Sequence, residues 1–159
     1  MQNMKQRVYI ETTVVSYLTG WPSRDIVIAA HQQITKEWWN KRVRFELYVS
    51  QIVMQEAGSG DPEAAKLRLH ALEGTNVLEL SPEARVLADE LIKQGAIPDK
   101  AVLDAFHIGI AVVNGMDYLL TWNCTHIANA SMRHKIESVC RLIGYEPPVI
   151  CTPEELMEE

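Results

Sequence analysis

Short runs of β-branched and aromatic residues alternate along the chain with longer segments in which apolar residues recur every three or four positions. The short runs predict strands at residues 7–10, 45–49, 77–80 and 118–121, and a weaker fifth at 149–151. The longer segments predict helices at residues 25–40, 50–58, 61–74, 81–95, 100–114 and 131–143. Residues 152–155 have the spacing of a capping box, which predicts a short C-terminal helix.

Polar residues that favour helix starts stand in front of several of these segments. Ser50, Asp61 and Ser81 each precede an apolar pattern of helical period, and a proline follows the last two at the first helical position. Asp99 is interpreted in the same way, as the N-cap of the helix at 100–114. These signals predict where four helices begin.

Two of the predicted helices have informative faces. Val27, Ala30, Ile34 and Trp38 recur at helical spacing and predict the buried face of the helix at 25–40. The helix at 100–114 is apolar almost all round, which predicts that it is buried in the core.

The alternation of strands and helices predicts an α/β fold. Right-handed crossovers would give a three-layer sandwich with a central, mostly parallel sheet of about five strands flanked by helices. A length of 159 residues fits a single domain over residues 1–159. In such sheets ligands bind beyond the carboxyl ends of the strands, so the functional residues are expected at that edge.

Composition narrows the class of protein. Hydrophobic residues make up 47% of the chain and charged residues 23%, which excludes a largely disordered chain, and the net charge of −6 excludes a broadly basic nucleic-acid-binding surface. A membrane-spanning segment and a signal peptide are both absent from the sequence, so we expect a cytoplasmic protein. Three cysteines without C-x-x-C spacing are expected to be reduced.

Four oxygen-bearing side chains are expected at the carboxyl edge of the sheet. Glu11 directly follows the first strand, and Asn123 lies two residues beyond the fourth. Glu56 and Asp104 each fall in the second turn of a helix that starts from that edge. Asp104 is the sharpest signal, because an unpaired carboxylate in a nearly apolar helix would be costly.

The helix at 100–114 also has a polar stripe. Lys100, Asp104, His107 and Asn114 share one face of an otherwise apolar helix. His107 and His126 are the histidines nearest the predicted site, and taken alone each fits a hydrogen-bonded structural histidine better than a catalytic base.

Carboxylates held close together repel one another unless a cation or hydrogen bonds compensate. Ligands with only oxygen donors favour a hard cation such as Mg²⁺ or Mn²⁺, which can also bind phosphate oxygens. This set predicts metal-assisted hydrolysis of phosphodiesters. Taken one at a time, Glu11 and Glu56 also fit ordinary solvated surface charges.

Four segments in this order resemble the PIN-domain ribonucleases, and in particular the VapC-type toxins of prokaryotic toxin–antitoxin pairs. The segments read VYIETTVVSYL, VSQIVMQEA, DAFHIGIAV and YLLTWNCTHI, and together with their spacing they cover most of the chain. The resemblance implies a central parallel sheet flanked by helices. It also implies an acidic cluster at one edge that binds Mg²⁺ or Mn²⁺ and cuts single-stranded RNA.

The resemblance assigns roles to particular residues. Glu11, Glu56 and Asp104 fall on the first three acidic positions of the family. Asn123 falls where the family has a fourth acid, often Asp. As metal ligands, these four would be the catalytic residues.

Two hydroxyl residues match the family, and two of the predicted ligands differ from the residues that the family usually has. Thr13 and Thr121 match hydroxyl residues that commonly accompany the cluster, and His107 supports it. Most of the family has Asp where this chain has Glu11, so the position of that carboxylate and the metal geometry are expected to differ. Asn123 keeps an oxygen ligand but removes a charge, which weakens the hold on a second cation.

The resemblance therefore implies a metal-dependent endoribonuclease toxin, with a separate small antitoxin as partner and with the homodimerisation that is common in the family. One alternative is a catalytically weak or inactive PIN-like module that binds an antitoxin or RNA, which Glu11 and the low basic content favour. Another is a metal-dependent phosphohydrolase acting on a small phosphoester, which would use the same ligands.

Overall fold

A five-stranded sheet forms the centre of this computed structural model, which describes residues 4–157. The strands are β1 Gln6–Ile10, β2 Phe45–Ser50, β3 Asn76–Leu78, β4 Tyr118–Leu120 and β5 Val149–Cys151. The α-helices in the described range are α1 Thr12–Thr19, α2 Ile26–Asn40, α3 Gln51–Ala57, α4 Pro62–Ala71, α5 Pro82–Lys93, α6 Val102–Val113 and α7 Ala130–Ile143. Two short 3-10 segments lie at Arg42–Arg44 and Asp99–Ala101.

All neighbouring strands of the sheet are parallel, and their order is β3-β2-β1-β4-β5. Val8 in the central strand pairs with Leu47 on one side and with Tyr118 on the other. Helices flank the sheet, so the predicted α/β sandwich and its five strands are confirmed. Parallel strands place all five carboxyl ends at the same edge, which is the edge predicted to hold the functional residues.

The core lies between the central strands and the helices that cover them. Val8, Tyr9 and Ile10 of β1 are fully buried, and so is most of α6, as its apolar sequence predicted. The N-caps predicted at Ser50, Asp61 and Ser81 are confirmed, because each side chain accepts a hydrogen bond from the first turn of α3, α4 or α5.

Helix α1 was not predicted from the sequence. Its N-cap is Glu11, whose side chain accepts a hydrogen bond from the backbone N–H of Thr13. Glutamate is not among the favoured N-cap residues, and β-branched residues follow it, so neither a start signal nor a helical propensity marked this segment.

The buried face of α2 differs from the prediction. Trp38 is buried as predicted, but Val27 is 57% exposed and Ala30 is also exposed. Gln32 and Thr35 are buried instead. The polar residues on this face are satisfied locally, since Gln32 bonds to the loop before the helix and Thr35 accepts a hydrogen bond from the indole of Trp122. A prediction that places only apolar residues on the buried face misses polar residues that find hydrogen-bond partners in the interior.

One predicted helix start and one predicted helix are wrong. Asp99 does not cap α6: it begins a 3-10 segment, and the N-cap of α6 is Ala101, so Asp104 lies in the first turn of the helix rather than the second. At the C-terminus, Thr152 and Glu155 form the reciprocal hydrogen bonds of the predicted capping box. Residues 153–156 nevertheless form turns rather than a helix.

The cysteines Cys124, Cys140 and Cys151 are free, as predicted. Burial raises the pKa of the Cys140 thiol to about 11 and that of the Cys151 thiol to about 12, so both are protonated at neutral pH. In residues 4–157, none of the helices is long and apolar enough to cross a membrane.

Gly109 sets how closely α5 and α6 pack. A β-carbon at this position would lie 2.5 Å from the carbonyl oxygen of Ala84. Replacing glycine by alanine inside a helix normally stabilises by up to about 1 kcal/mol. We expect Gly109→Ala to lower the free energy of unfolding instead, by about 1 to 3 kcal/mol, because the two helices must move apart.

Urea denaturation measures this effect, with Ser138→Ala on the exposed surface of α7 as the control. The control variant should be neutral or slightly stabilised. A Gly109→Ala protein more stable than the unmodified one would contradict the close packing of these helices.

Candidate active site

Polar side chains gather where β1, β2 and β4 end. Glu11 follows β1, Ser50 ends β2, and Thr121 and Asn123 follow β4. The backbone N–H of Glu11 donates to the carbonyl oxygen of Leu120, so the ends of the two central strands remain paired up to the site.

Glu11 is 3% exposed, and protein groups satisfy its carboxyl oxygens. Oε1 accepts hydrogen bonds of 2.5 Å from the hydroxyls of Thr13 and of Thr121, and Oε2 accepts one of 3.2 Å from the backbone N–H of Thr13. The same two hydroxyls accept the backbone N–H groups of Trp122 and Asn123. Glu11 therefore holds the start of α1 and the segment after β4 together.

Glu56 points from α3 into a different environment, with its side chain 33% exposed. Oε1 accepts a hydrogen bond of 2.7 Å from the Thr12 hydroxyl and lies 2.6 Å from Nε2 of the buried His107. Burial acts to raise the pKa of Glu56, but its contacts with His107 and with the Thr12 hydroxyl outweigh burial and lower that pKa below its ordinary value. Glu56 is therefore ionised at neutral pH.

Asp104 and Asn123 meet through His126. Oδ2 of Asp104 lies 2.9 Å from Nδ1 of His126, and Oδ1 of Asn123 accepts a hydrogen bond of 3.0 Å from the His126 backbone N–H. The side chains of Asp104 and His126 are 20% and 22% exposed. The segment after β4 thus brings a histidine against the first turn of α6.

The carboxylates of Glu56 and Asp104 both line one open cavity of about 460 Å³. Its lining residues are Glu56, Lys100, Ala101, Val102, Leu103, Asp104 and His126. Glu11 is not among them. Within the described chain, the Lys100 ammonium forms no hydrogen bond or ion pair, and it is the basic residue in this lining.

The donor chemistry of the cavity fits a hard divalent cation. Mg²⁺ is commonly bound by one or two carboxylates while waters and substrate phosphates complete its coordination, and Glu56 and Asp104 supply such a pair. Among residues 4–157, no three Asp, Glu, His or Cys side chains are grouped closely enough to hold a metal ion by themselves. Direct ligation by Glu11 and Asn123 stays a prediction.

Sequence reasoning missed several contacts of the site. Thr12 and Tyr9 were not predicted to take part, although Thr12 bonds to Glu56 and the Tyr9 hydroxyl bonds to His107. Lys100 and His126 were noticed but not assigned to the site. The helical spacing of Lys100, Asp104 and His107 was the available signal for Lys100, whereas nothing in the sequence revealed the partners of Tyr9.

Several solved structures resemble this chain, among them VapBC2 and VapC20. VapBC2 from Rickettsia felis, bound to a DNA fragment from its promoter, matches with a TM-score of 0.59 at 13% identity, over 92% of this chain and 98% of that one. VapC20 from Mycobacterium tuberculosis, a Sarcin-Ricin loop cleaving toxin, matches with a TM-score of 0.57 at 13% identity, over 75% and 92%. No protein-family model and no curated protein sequence matches the chain.

These likenesses show the fold. The chain has the PIN-domain fold of VapC proteins, as its sequence motifs predicted. At 13% identity, nothing about substrate or partner follows from the comparison alone.

The hydrogen bonds of Glu11 generate a prediction about stability. Glu11→Ala leaves the hydroxyls of Thr13 and Thr121 without their acceptor, so we expect the free energy of unfolding to fall by about 2 to 4 kcal/mol in metal-free buffer. Glu79→Ala, which removes an exposed glutamate, should change it by less than about 0.5 kcal/mol. Urea denaturation in EDTA measures both.

A residue that served only as a metal ligand would behave differently in that experiment. Its removal in EDTA would leave the stability unchanged or raise it, because a repelling charge would be gone. That result for Glu11→Ala would contradict its structural role.

Proposed function

We propose that this protein is a metal-dependent endoribonuclease that cuts single-stranded RNA, and that it acts as the toxin of a toxin–antitoxin pair. The observation that carries the proposal is the cavity at the carboxyl edge of a VapC-type fold, where Glu56, Asp104 and an unpaired Lys100 lie together. Two carboxylates beside one free ammonium suit a substrate that brings both a phosphate and a cation.

In this proposal Glu56 and Asp104 hold Mg²⁺ or Mn²⁺, and Asn123 adds an oxygen from the segment after β4. When bound, the metal lowers the pKa of the attacking water and stabilises charge on the phosphate oxygens. Glu11 acts chiefly through Thr13 and Thr121, by fixing the backbone that carries Asn123.

The other residues of the cavity have separate tasks. Lys100 binds a phosphate oxygen of the RNA. His107 and His126 hold the carboxylates of Glu56 and Asp104 in fixed orientations through hydrogen bonds of 2.6 and 2.9 Å. Oriented ligands keep the metal site from reorganising as substrate binds.

A partner protein follows from the toxin proposal, since a free ribonuclease would damage its own cell. The Rickettsia felis structure is of a VapBC2 complex on promoter DNA, which supports an antitoxin of that kind as the partner here. Homodimerisation, expected by resemblance, remains part of the proposal.

A second candidate function has its own support. The oxygens of Glu11 accept three hydrogen bonds from protein donors, and the described residues contain no cluster of three metal-binding side chains. Both observations favour a catalytically weak or silent module that binds RNA or an antitoxin in the same cavity.

Cleavage of an unstructured RNA in Mn²⁺, with fragments resolved to single nucleotides, distinguishes the two functions. Glu56→Gln and Asp104→Asn keep the shape of each side chain but remove its charge. We expect each to reduce the cleavage rate by at least about 100-fold, because both ligand charges are needed to hold the metal. EDTA should abolish cleavage by the unmodified protein.

Glu63→Gln, on the exposed start of α4, is the matched control and should cleave normally. Stoichiometric RNA binding without turnover by the unmodified protein, at every Mn²⁺ concentration, would establish the silent module instead. Hydrolysis of a model phosphomonoester with RNA left intact would indicate a small-molecule phosphohydrolase.

Lys100→Gln should weaken RNA binding while leaving the metal ligands in place. We expect KM to rise by about tenfold, equivalent to about 1.4 kcal/mol, and the dependence of log KM on log salt to become shallower by about 0.7. Lys36→Gln on the exposed surface of α2 makes the same change in net charge away from the cavity lining. Equal effects of the two substitutions would show that only overall charge matters.

A further inference from the structure

A chain of hydrogen bonds runs from the start of α3, through the core, to the cavity. Oγ of Ser50 lies 2.7 Å from the Tyr9 hydroxyl, which lies 2.7 Å from Nδ1 of His107. Nε2 of His107 lies 2.6 Å from Oε1 of Glu56. The chain joins β1, the end of β2, α6 and α3.

Only one end of this chain reaches the solvent. Tyr9, Ser50 and His107 are each 0% exposed, whereas the side chain of Glu56 is 33% exposed and lines the cavity. The buried groups therefore depend on protein partners for their hydrogen bonds, and an unmatched donor there costs free energy because water cannot reach it.

One assignment of donors and acceptors along this chain satisfies every buried group. The Glu56 carboxylate can only accept, so Nε2 of His107 carries the proton in that bond. Nδ1 then accepts from the Tyr9 hydroxyl, which in turn accepts from the Ser50 hydroxyl. Ser50 Oγ accepts the backbone N–H of Val53 at 3.2 Å, which completes the chain.

If every hydrogen bond in the chain ran in the opposite direction, the Ser50 hydroxyl would lack an acceptor. If Nδ1 carried a proton, it would donate to the Tyr9 oxygen, and the Tyr9 hydroxyl would donate to Ser50. The Ser50 proton would then have no acceptor among the described residues. Burial raises the pKa of Tyr9 far above its usual value, so the phenol keeps its proton and cannot act as an anionic acceptor.

Packing alone does not require this chain. The rings of Tyr9 and His107 meet edge to face with centroids 5.9 Å apart, and a phenylalanine ring would fill the same space without a buried hydroxyl. Three polar groups in the core need a further reason, and the exposed end of the chain at Glu56 provides one.

We propose that Tyr9 is a positioning residue of the active site: its hydroxyl donates to Nδ1 and fixes the orientation of the His107 ring, and His107 thereby fixes the Glu56 carboxylate in the cavity. The consequence for catalysis rests on the proposed nuclease function, whereas the orientation of the ring does not. Ser50 sets the direction of the Tyr9 hydroxyl.

Tyr9→Phe tests the proposal, and ¹⁵N–¹H NMR of the His107 ring measures which nitrogen carries the proton. The unmodified protein should show the Nε2–H tautomer alone. In Tyr9→Phe, Nε2 keeps its proton for Glu56 but Nδ1 loses its donor, so we expect the ¹⁵N resonance of Nδ1 to move to the position of a ring nitrogen without a hydrogen bond. Mn²⁺ affinity from calorimetry and kcat should each fall about tenfold, with KM changed less than about twofold.

Two further variants separate positioning from simple destabilisation. Tyr48→Phe removes a hydroxyl from the neighbouring strand, where its partner is the exposed Glu46, and should leave the His107 spectrum and kcat unchanged. Ser50→Ala loses the N-cap of α3 but leaves Tyr9 able to donate to Nδ1. It should therefore lose stability and keep the Nε2–H tautomer.

The failure of this proposal and the failure of the proposed function give different results. An Nδ1 resonance in Tyr9→Phe that is unchanged from that of the unmodified protein would overturn the proposal, whatever the activity. A shifted Nδ1 resonance in Tyr9→Phe together with unchanged kcat and Mn²⁺ affinity would also overturn it, because Glu56 would not depend on the chain. An unmodified protein that cuts no RNA refutes the nuclease function alone, since the NMR and calorimetric results still decide the role of Tyr9.

Discussion

A buried carboxyl group must have its oxygens satisfied by protein donors, and at Glu11 this requirement organises the carboxyl ends of β1 and β4. The two threonine hydroxyls that donate to Glu11 also accept the backbone N–H groups of Trp122 and Asn123. One carboxyl group thus joins the end of β1, the first turn of α1 and the segment after β4. The positions of Asn123 and His126 depend on that junction.

The acidic residues of this edge lie at two depths. Glu11 is buried and engaged on both oxygens, whereas Glu56 and Asp104 line an open cavity, each with a histidine partner. A resemblance in sequence treats the three as equivalent ligands. The contacts show Glu11 holding the backbone, and its ligation of a metal stays a prediction. Glu56 and Asp104 line the cavity that we propose for a metal and a phosphate.

The sequence predicted those features that depend on local pattern. Runs of β-branched and aromatic residues located the strands, and three N-caps located helix starts. The isolated Asp104 in an apolar helix pointed to the edge of the sheet where the cavity lies. Features that depend on contacts between distant residues escaped prediction. Helix α1 begins with an uncommon cap that is held by Thr121, 110 residues away, and the inner face of α2 is polar because Thr35 bonds to Trp122. The bond between Tyr9 and His107 likewise spans 98 residues, so no spacing rule could reveal it.

The central claim is that Glu56 and Asp104 together form a site for a divalent cation. Anomalous diffraction from crystals of the protein soaked in Mn²⁺ tests it most directly, because the signal locates the metal without reference to activity. We expect one strong peak between the two carboxylates, within about 2.3 Å of an oxygen of each. No peak between these two carboxylates at saturating Mn²⁺ would contradict the account.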